Sequence, residues 1–119
     1  MELEGIFSYI KKVYAAKPEY LWKDDSNSAV FRNRKNDKWF GIIMKISRDK
    51  LGLEGKEEID ILNVKLKPDM VTHLQTMDGY YPAYHMNKEH WITILLNGSV
   101  PETKILDAID WSYDLVDGK

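Results

Sequence analysis

Apolar residues recur with two different periods along the chain, and the changes of period mark out its elements. Leu3, Ile6, Phe7, Ile10, Val13 and Tyr14 fall at helical spacing, with Glu2, Glu4, Ser8, Lys11 and Lys12 elsewhere. This predicts an amphipathic helix over Met1–Lys17 with one core-facing stripe. Acids in its first turns and lysines later suit the helix dipole, and Pro18 ends it. The period then becomes two. Ala29–Arg34 and Lys38–Ile46 read as the strands of a hairpin, joined by Lys35-Asn36-Asp37, whose Asn and Asp suit a turn. In the second strand Phe40, Ile42, Met44 and Ile46 share one face and Trp39, Gly41, Ile43 and Lys45 the other. In the first, Val30, Arg32 and Arg34 point one way, Phe31 and Asn33 the other.

Ser47–Glu58 is polar and glycine-punctuated, a loop with a short turn. Ile59–Leu66 is a strand with Leu62, Val64 and Leu66 on the core face and Ile61, Asn63 and Lys65 opposite. Pro68–Met77 carries Met70, Val71 and Leu74 at helical spacing behind an initiating proline. Tyr84–Met86 and Trp91–Leu96 read as two short strands joined by Asn87-Lys88-Glu89. The second of these is apolar on both faces and belongs in the sheet interior. A final helix starts near Pro101 and buries Ile105, Leu106, Ile109, Tyr113 and Val116. The predicted architecture is α–β–β–β–(short α)–β–β–α. It is an α+β fold: one antiparallel sheet with the N- and C-terminal helices packed on one face, in a single domain over residues 1–119.

Composition narrows the function classes. The 119 residues are 44% hydrophobic and 30% charged, as in an ordinary globular protein, and contain no cysteine. Disulfides and thiolate metal sites are thereby excluded. No basic leader precedes the first helix and no apolar run approaches the roughly 20 residues needed to span a bilayer, so a cytoplasmic location without membrane contact is expected. The net charge of −2 argues against a generally basic nucleic-acid binder. Its distribution is uneven: residues 29–50 carry a net +5, residues 1–28 a net −1 and residues 51–119 a net −6.

Chemical candidates are few. His85 and His90 flank the Asn87-Lys88 turn beside Glu89, and imidazole with carboxylate can ligate zinc or iron. Only His73 remains to complete such a set, and hydrogen bonding is the simpler role. Asp24–Asp25 offers oxygen ligands for Mg²⁺ or Ca²⁺ but lacks the spacing of a calcium loop, so a solvated turn is expected. Ser112 could pair with a histidine as a nucleophile, but it lies on a helix without the sharp turn a serine nucleophile uses. Asp107, Asp110, Asp114 and Asp117 read as a solvated outer face. No catalytic residues, metal ligands or cofactors are assigned, and no enzymatic activity is expected.

The run from Pro82 to Trp91, PAYHMNKEHW, followed by Ser112–Val116 on the last helix, resembles the MmcQ/YjbR family of small bacterial proteins. Asp37–Phe40 and Val64–Pro68 match as well, so the resemblance extends over nearly the whole chain. It implies a CyaY-like (frataxin-like) fold and binding of double-stranded DNA through two β-hairpin wings. On this chain the first wing would place Arg32, Arg34, Lys35 and Lys38 at phosphates, and the second would be the Asn87-Lys88 turn. From the residues alone, the basic hairpin reads better as an edge kept from aggregating by its charge; with the resemblance the two readings are level. Alternatives to DNA are a protein partner held on an aromatic and basic surface, or a weak metal or small-molecule site. A monomer or weak dimer is expected.

Overall fold

The computed structural model describes residues 2–22 and 28–118. Asp24–Asp25 lies outside the described residues. In chain order the elements are α1 (Leu3–Tyr14), β1 (Ala29–Arg32), β2 (Trp39–Ser47), a 3-10 turn (Arg48–Leu51), β3 (Glu58–Lys65), α2 (Pro68–Leu74), β4 (Tyr80–Pro82), β5 (Trp91–Leu95) and α3 (Glu102–Asp117). The five strands form one antiparallel sheet in the order β1-β2-β3-β5-β4. This is the expected α+β arrangement. β5, with all five residues buried, lies inside the sheet as its two apolar faces require.

Both terminal helices pack on one face of the sheet. Ile6 and Ile10 of α1 and Ile105, Ala108, Ile109 and Val116 of α3 join Phe31, Phe40, Ile43, Leu62, Val64, Ile92 and Ile94 in the main core. α1 is shorter than its stripe predicts. Ala15 takes the left-handed conformation (φ 54°) and its N–H bonds to Lys11 O, so the helix stops before Pro18 acts, and Val13 is left 49% exposed. α3 is fixed to the sheet by a buried hydroxyl: Ser112 Oγ donates to Phe40 O at 2.6 Å and accepts from Lys65 N at 2.9 Å. That hydroxyl is sealed from solvent and is spent on packing.

The β2 face assignment needs one correction. Phe31 pairs with Gly41 but Arg32 with Trp39, so Phe40 is the extra residue of a β-bulge. The bulge turns Phe40 to the helix side, where its ring meets Tyr113 edge-on at 5.0 Å, and moves Trp39 from the expected face of Ile43 to the opposite one, which Ile42, Met44 and Ile46 keep. Strict alternation cannot anticipate such an insertion. The acidic face of α3 is likewise not uniformly solvated. Tyr9 donates to Asp110 at 2.8 Å, Tyr14 donates to the same carboxylate, and the Asp117 side chain is only 6% exposed.

The strand expected at Tyr84–Met86 is instead Tyr80–Pro82. Gly79, at φ 89°, makes the turn into it and has no room for a Cβ, which would fall 2.5 Å from Val100 Cγ2. Residues 83–86 fold back over the face that neither terminal helix covers. A buried polar set holds them there: Tyr84 N donates to Thr93 Oγ1 at 2.9 Å, Asn63 Nδ2 donates to Tyr84 O at 3.1 Å, and Thr93 Oγ1 donates to Asn63 Oδ1. The loop and the segment ending at Trp22 leave a trough between them. Its floor is the outer face of β2, and its volume is about 960 Å³.

Candidate nucleic-acid interface

Antiparallel pairing brings the two hairpin connections to the same end of the sheet. Arg32 is opposite Trp39 where β1 meets β2, Gly41 is opposite Val64, Lys65 is opposite Trp91, and Pro82 is opposite Ile92. The loop of residues 33–38, the end of β3 with Lys65, Leu66 and Lys67, and the loop of residues 83–90 therefore line one rim. Leu66 N donates to His90 O at 2.9 Å and ties the last two together.

The first loop is built against the end of α3. Asn33 is fully buried; its Nδ2 donates to Asp117 Oδ1 at 2.8 Å and its Oδ1 accepts from Lys35 N at 2.8 Å. Asn36 Nδ2 donates to Val116 O at 2.8 Å and its Oδ1 accepts from Lys38 N at 3.0 Å. Asp37 supplies the positive φ of 62° that reverses the chain, a conformation Asp tolerates better than most residues. β1 ends at Arg32, so Arg34 projects from the turn and not from a strand face.

The four basic residues of this hairpin are not equivalent. Arg32 Nε lies 2.9 Å from Glu19 Oε2 and its guanidinium sits 5.6 Å from the Trp39 ring centroid. Lys35 Nζ lies 3.4 Å from Asp117 Oδ1. Both cations already have an intramolecular anion. Arg34 and Lys38 are exposed and make no ion pair among the described residues. Arg34 also borders a shallow cleft with Lys11 and Lys17 at the end of α1.

In the second loop the two expected contacts are largely structural. Asn87 Oδ1 accepts from Glu89 N at 2.9 Å and His90 N at 3.0 Å, capping the turn, and Lys88 Nζ donates to Ala83 O at 2.8 Å. His85, at φ 58°, stacks on Tyr84 with ring centroids 4.0 Å apart and faces the trough. Among the described residues no group of three His, Asp or Glu side chains could hold a metal ion.

Lys65 and Lys67 were not among the sequence candidates, yet they stand on the rim between the two loops. Their alternation around Leu66 was visible in the sequence. That they end beside the hairpins depends on the β3–β5 register, which local pattern does not specify.

The profile of the family described as YjbR matches residues 11–115. Among individual proteins, the chain is 43% identical over 112 residues to the uncharacterized protein YyaQ of Bacillus subtilis, covering 94% of this chain and 95% of YyaQ. It is 36% identical over 53 residues to the uncharacterized protein YjbR of Escherichia coli, covering 44% of this chain and 45% of that one. A crystal structure of a Pseudomonas syringae protein superposes with a TM-score of 0.94 at 41% identity, covering 97% of this chain and 98% of that one. A Deinococcus radiodurans protein shares the fold at a TM-score of 0.76 and 21% identity, over 98% of this chain and 79% of that one. No helix among the described residues is long and apolar enough to cross a membrane.

Proposed function

This chain belongs to the YjbR family, and we propose that it binds the phosphate backbone of double-stranded DNA at the basic end of its sheet. The observation that carries the reading is the convergence of both hairpin loops and the end of β3 on one rim. Arg34, Lys38 and Lys67 are its exposed cations that make neither an ion pair nor a side-chain hydrogen bond among the described residues, and they are the principal phosphate contacts, with Lys65 beside them. Arg32, Lys35, Asn87 and Lys88 shape the loops that present them. Acidic neighbours on the same rim, Asp37, Asp69 and Glu89, keep the affinity low. The same reading takes the chain as one cytoplasmic domain of CyaY-like architecture, a monomer or weak dimer that binds without catalysing a reaction.

The test is fluorescence anisotropy of a labelled mixed-sequence duplex across a salt series. Each phosphate contact contributes about 0.9 to the slope of log affinity against log salt. Arg34→Ala/Lys38→Ala/Lys67→Ala is expected to lower both the affinity and that slope. Absence of binding at low salt, or binding indifferent to the triple variant, refutes the reading.

A protein partner is the second reading. It is favoured by Trp111, 43% exposed on α3 and bordering a small hollow with Met70 and Leu115. Association through such an apolar contact persists at moderate salt, where phosphate binding fails.

A further inference from the structure

The trough on the helix-free face lies apart from the basic rim's exposed cations and is built differently. Its floor is β2, which is already hydrogen-bonded on both sides, to β1 and to β3. A peptide cannot add to it as a strand, so an occupant must engage side chains alone. Those side chains are flat or soft. Trp22 is 43% exposed and meets Trp39 edge-on at 6.3 Å. Met44 and Met86 pack beside Trp39 in the cluster that includes Ile42. On the far wall the Tyr84–His85 stack leaves the imidazole exposed. Thioether sulfur and ring edges both make favourable contacts with an aromatic ring. The volume of about 960 Å³ falls in the usual range for small-ligand sites, roughly 300–1,000 Å³.

Charge selects among aromatic ligands. Two lysines and one glutamate, Lys45, Lys50 and Glu58, line the trough. Lys45 lies 3.0 Å from Asp60 with Glu58 as a second acidic neighbour, and these charges compensate one another. Lys50, on the 3-10 turn at the end of the trough, is exposed and makes no ion pair among the described residues. We infer that this trough is a binding site for a small planar aromatic anion, its ring between Trp39, Met44, Met86 and His85 and its negative group on Lys50. Free aromatic acids and mononucleotides share that chemistry.

The test uses the full chain, labelled with nitrogen-15, titrated with anilinonaphthalene sulfonate and separately with thymidine monophosphate. With the sulfonate, saturable one-to-one binding is expected. The indole N–H signals of Trp22 and Trp39 should move while that of Trp111 on α3 stays in place. Met86→Asp, which sets a carboxylate in the trough wall, is expected to weaken binding by tenfold or more, on the order of the cost of an unpaired charge on an apolar surface. Lys50→Glu changes only an exposed side chain, so its amide spectrum should remain native while affinity drops by up to about fivefold, the loss of an exposed ion pair. Binding of the nucleotide with the same dependence places nucleotides in the ligand class, and binding of the sulfonate alone restricts it to aromatic acids. Unsaturable binding, equal movement of Trp111, or indifference to both variants overturns the proposal. The duplex is absent throughout, so the outcome is independent of DNA binding at the rim.

Discussion

At the scale of single residues, polar side chains that a sequence reader assigns to solvent do structural work here. Asp110 is the clearest. Its carboxylate accepts from the Tyr9 and Tyr14 hydroxyls and holds α1 to α3. Burial, and then the hydrogen bond and charge of Asp110, push the Tyr9 phenol from 10.0 up to about 12, and the same causes raise Tyr14 further. The folded state thus favours the neutral phenols. Their contribution to stability is complete below pH 10; that of Tyr9 is lost as pH rises through about 12 and that of Tyr14 at higher pH still. Asp110→Ala removes the shared acceptor and should cost about 2 kcal/mol in urea unfolding at neutral pH. A tyrosinate absorbance titration of that variant should show ionisation beginning at lower pH than in the parent. An unchanged titration would mean that burial alone sets these values.

At the scale of elements, the sequence marked the helices and central strands well and the connections poorly. The stripe of α3 and the two-faced pattern of β5 reflect periodicities that burial imposes directly. The bulge at Phe40 and the left-handed end of α1 at Ala15 are set by packing against distant segments, which local spacing does not record. The loop of residues 83–90 shows the same dependence. Asn63 and Thr93 look like ordinary polar positions in apolar strands, yet together they hold Tyr84 to the sheet. Thr93→Val keeps the shape and leaves Asn63 Oδ1 and the Tyr84 N–H without their partner, at a cost of about 1–3 kcal/mol. Hydrogen exchange should then accelerate in residues 83–90 while the loop of residues 33–38, fixed independently through Asn33 and Asn36, keeps its protection. Equal acceleration in both loops would mean that the network stabilises the sheet as a whole and not this loop.

At the scale of the whole molecule, the charge distribution matters more than the net −2. The basic surplus of residues 29–50 is partly neutralised by Glu19 and Asp117, which come from other parts of the chain. The cations left for a ligand are therefore fewer than the sequence counts and include Lys67 from a different segment. This separates the contributions of neighbouring lysines. Lys38→Ala should reduce the salt slope of duplex binding by about 0.9. Lys35→Ala, which gives up a cation already held by Asp117, should reduce it by clearly less. Equal reductions would place both lysines on the DNA.

What the sequence determined by itself was everything governed by local periodicity and by motif order. That covers two terminal helices, an antiparallel sheet between them, the family, and the concentration of basic charge in the first hairpin. Beyond the first hairpin, the tertiary structure alone decided the order of the strands in the sheet, that both loops and Lys67 share a rim, which cations are already paired, and that a trough opens on the helix-free face. Those properties depend on contacts between residues far apart in the chain. Strand register and ion pairing are fixed by the packing of whole faces, and a window of neighbouring residues carries no record of what will be packed against it.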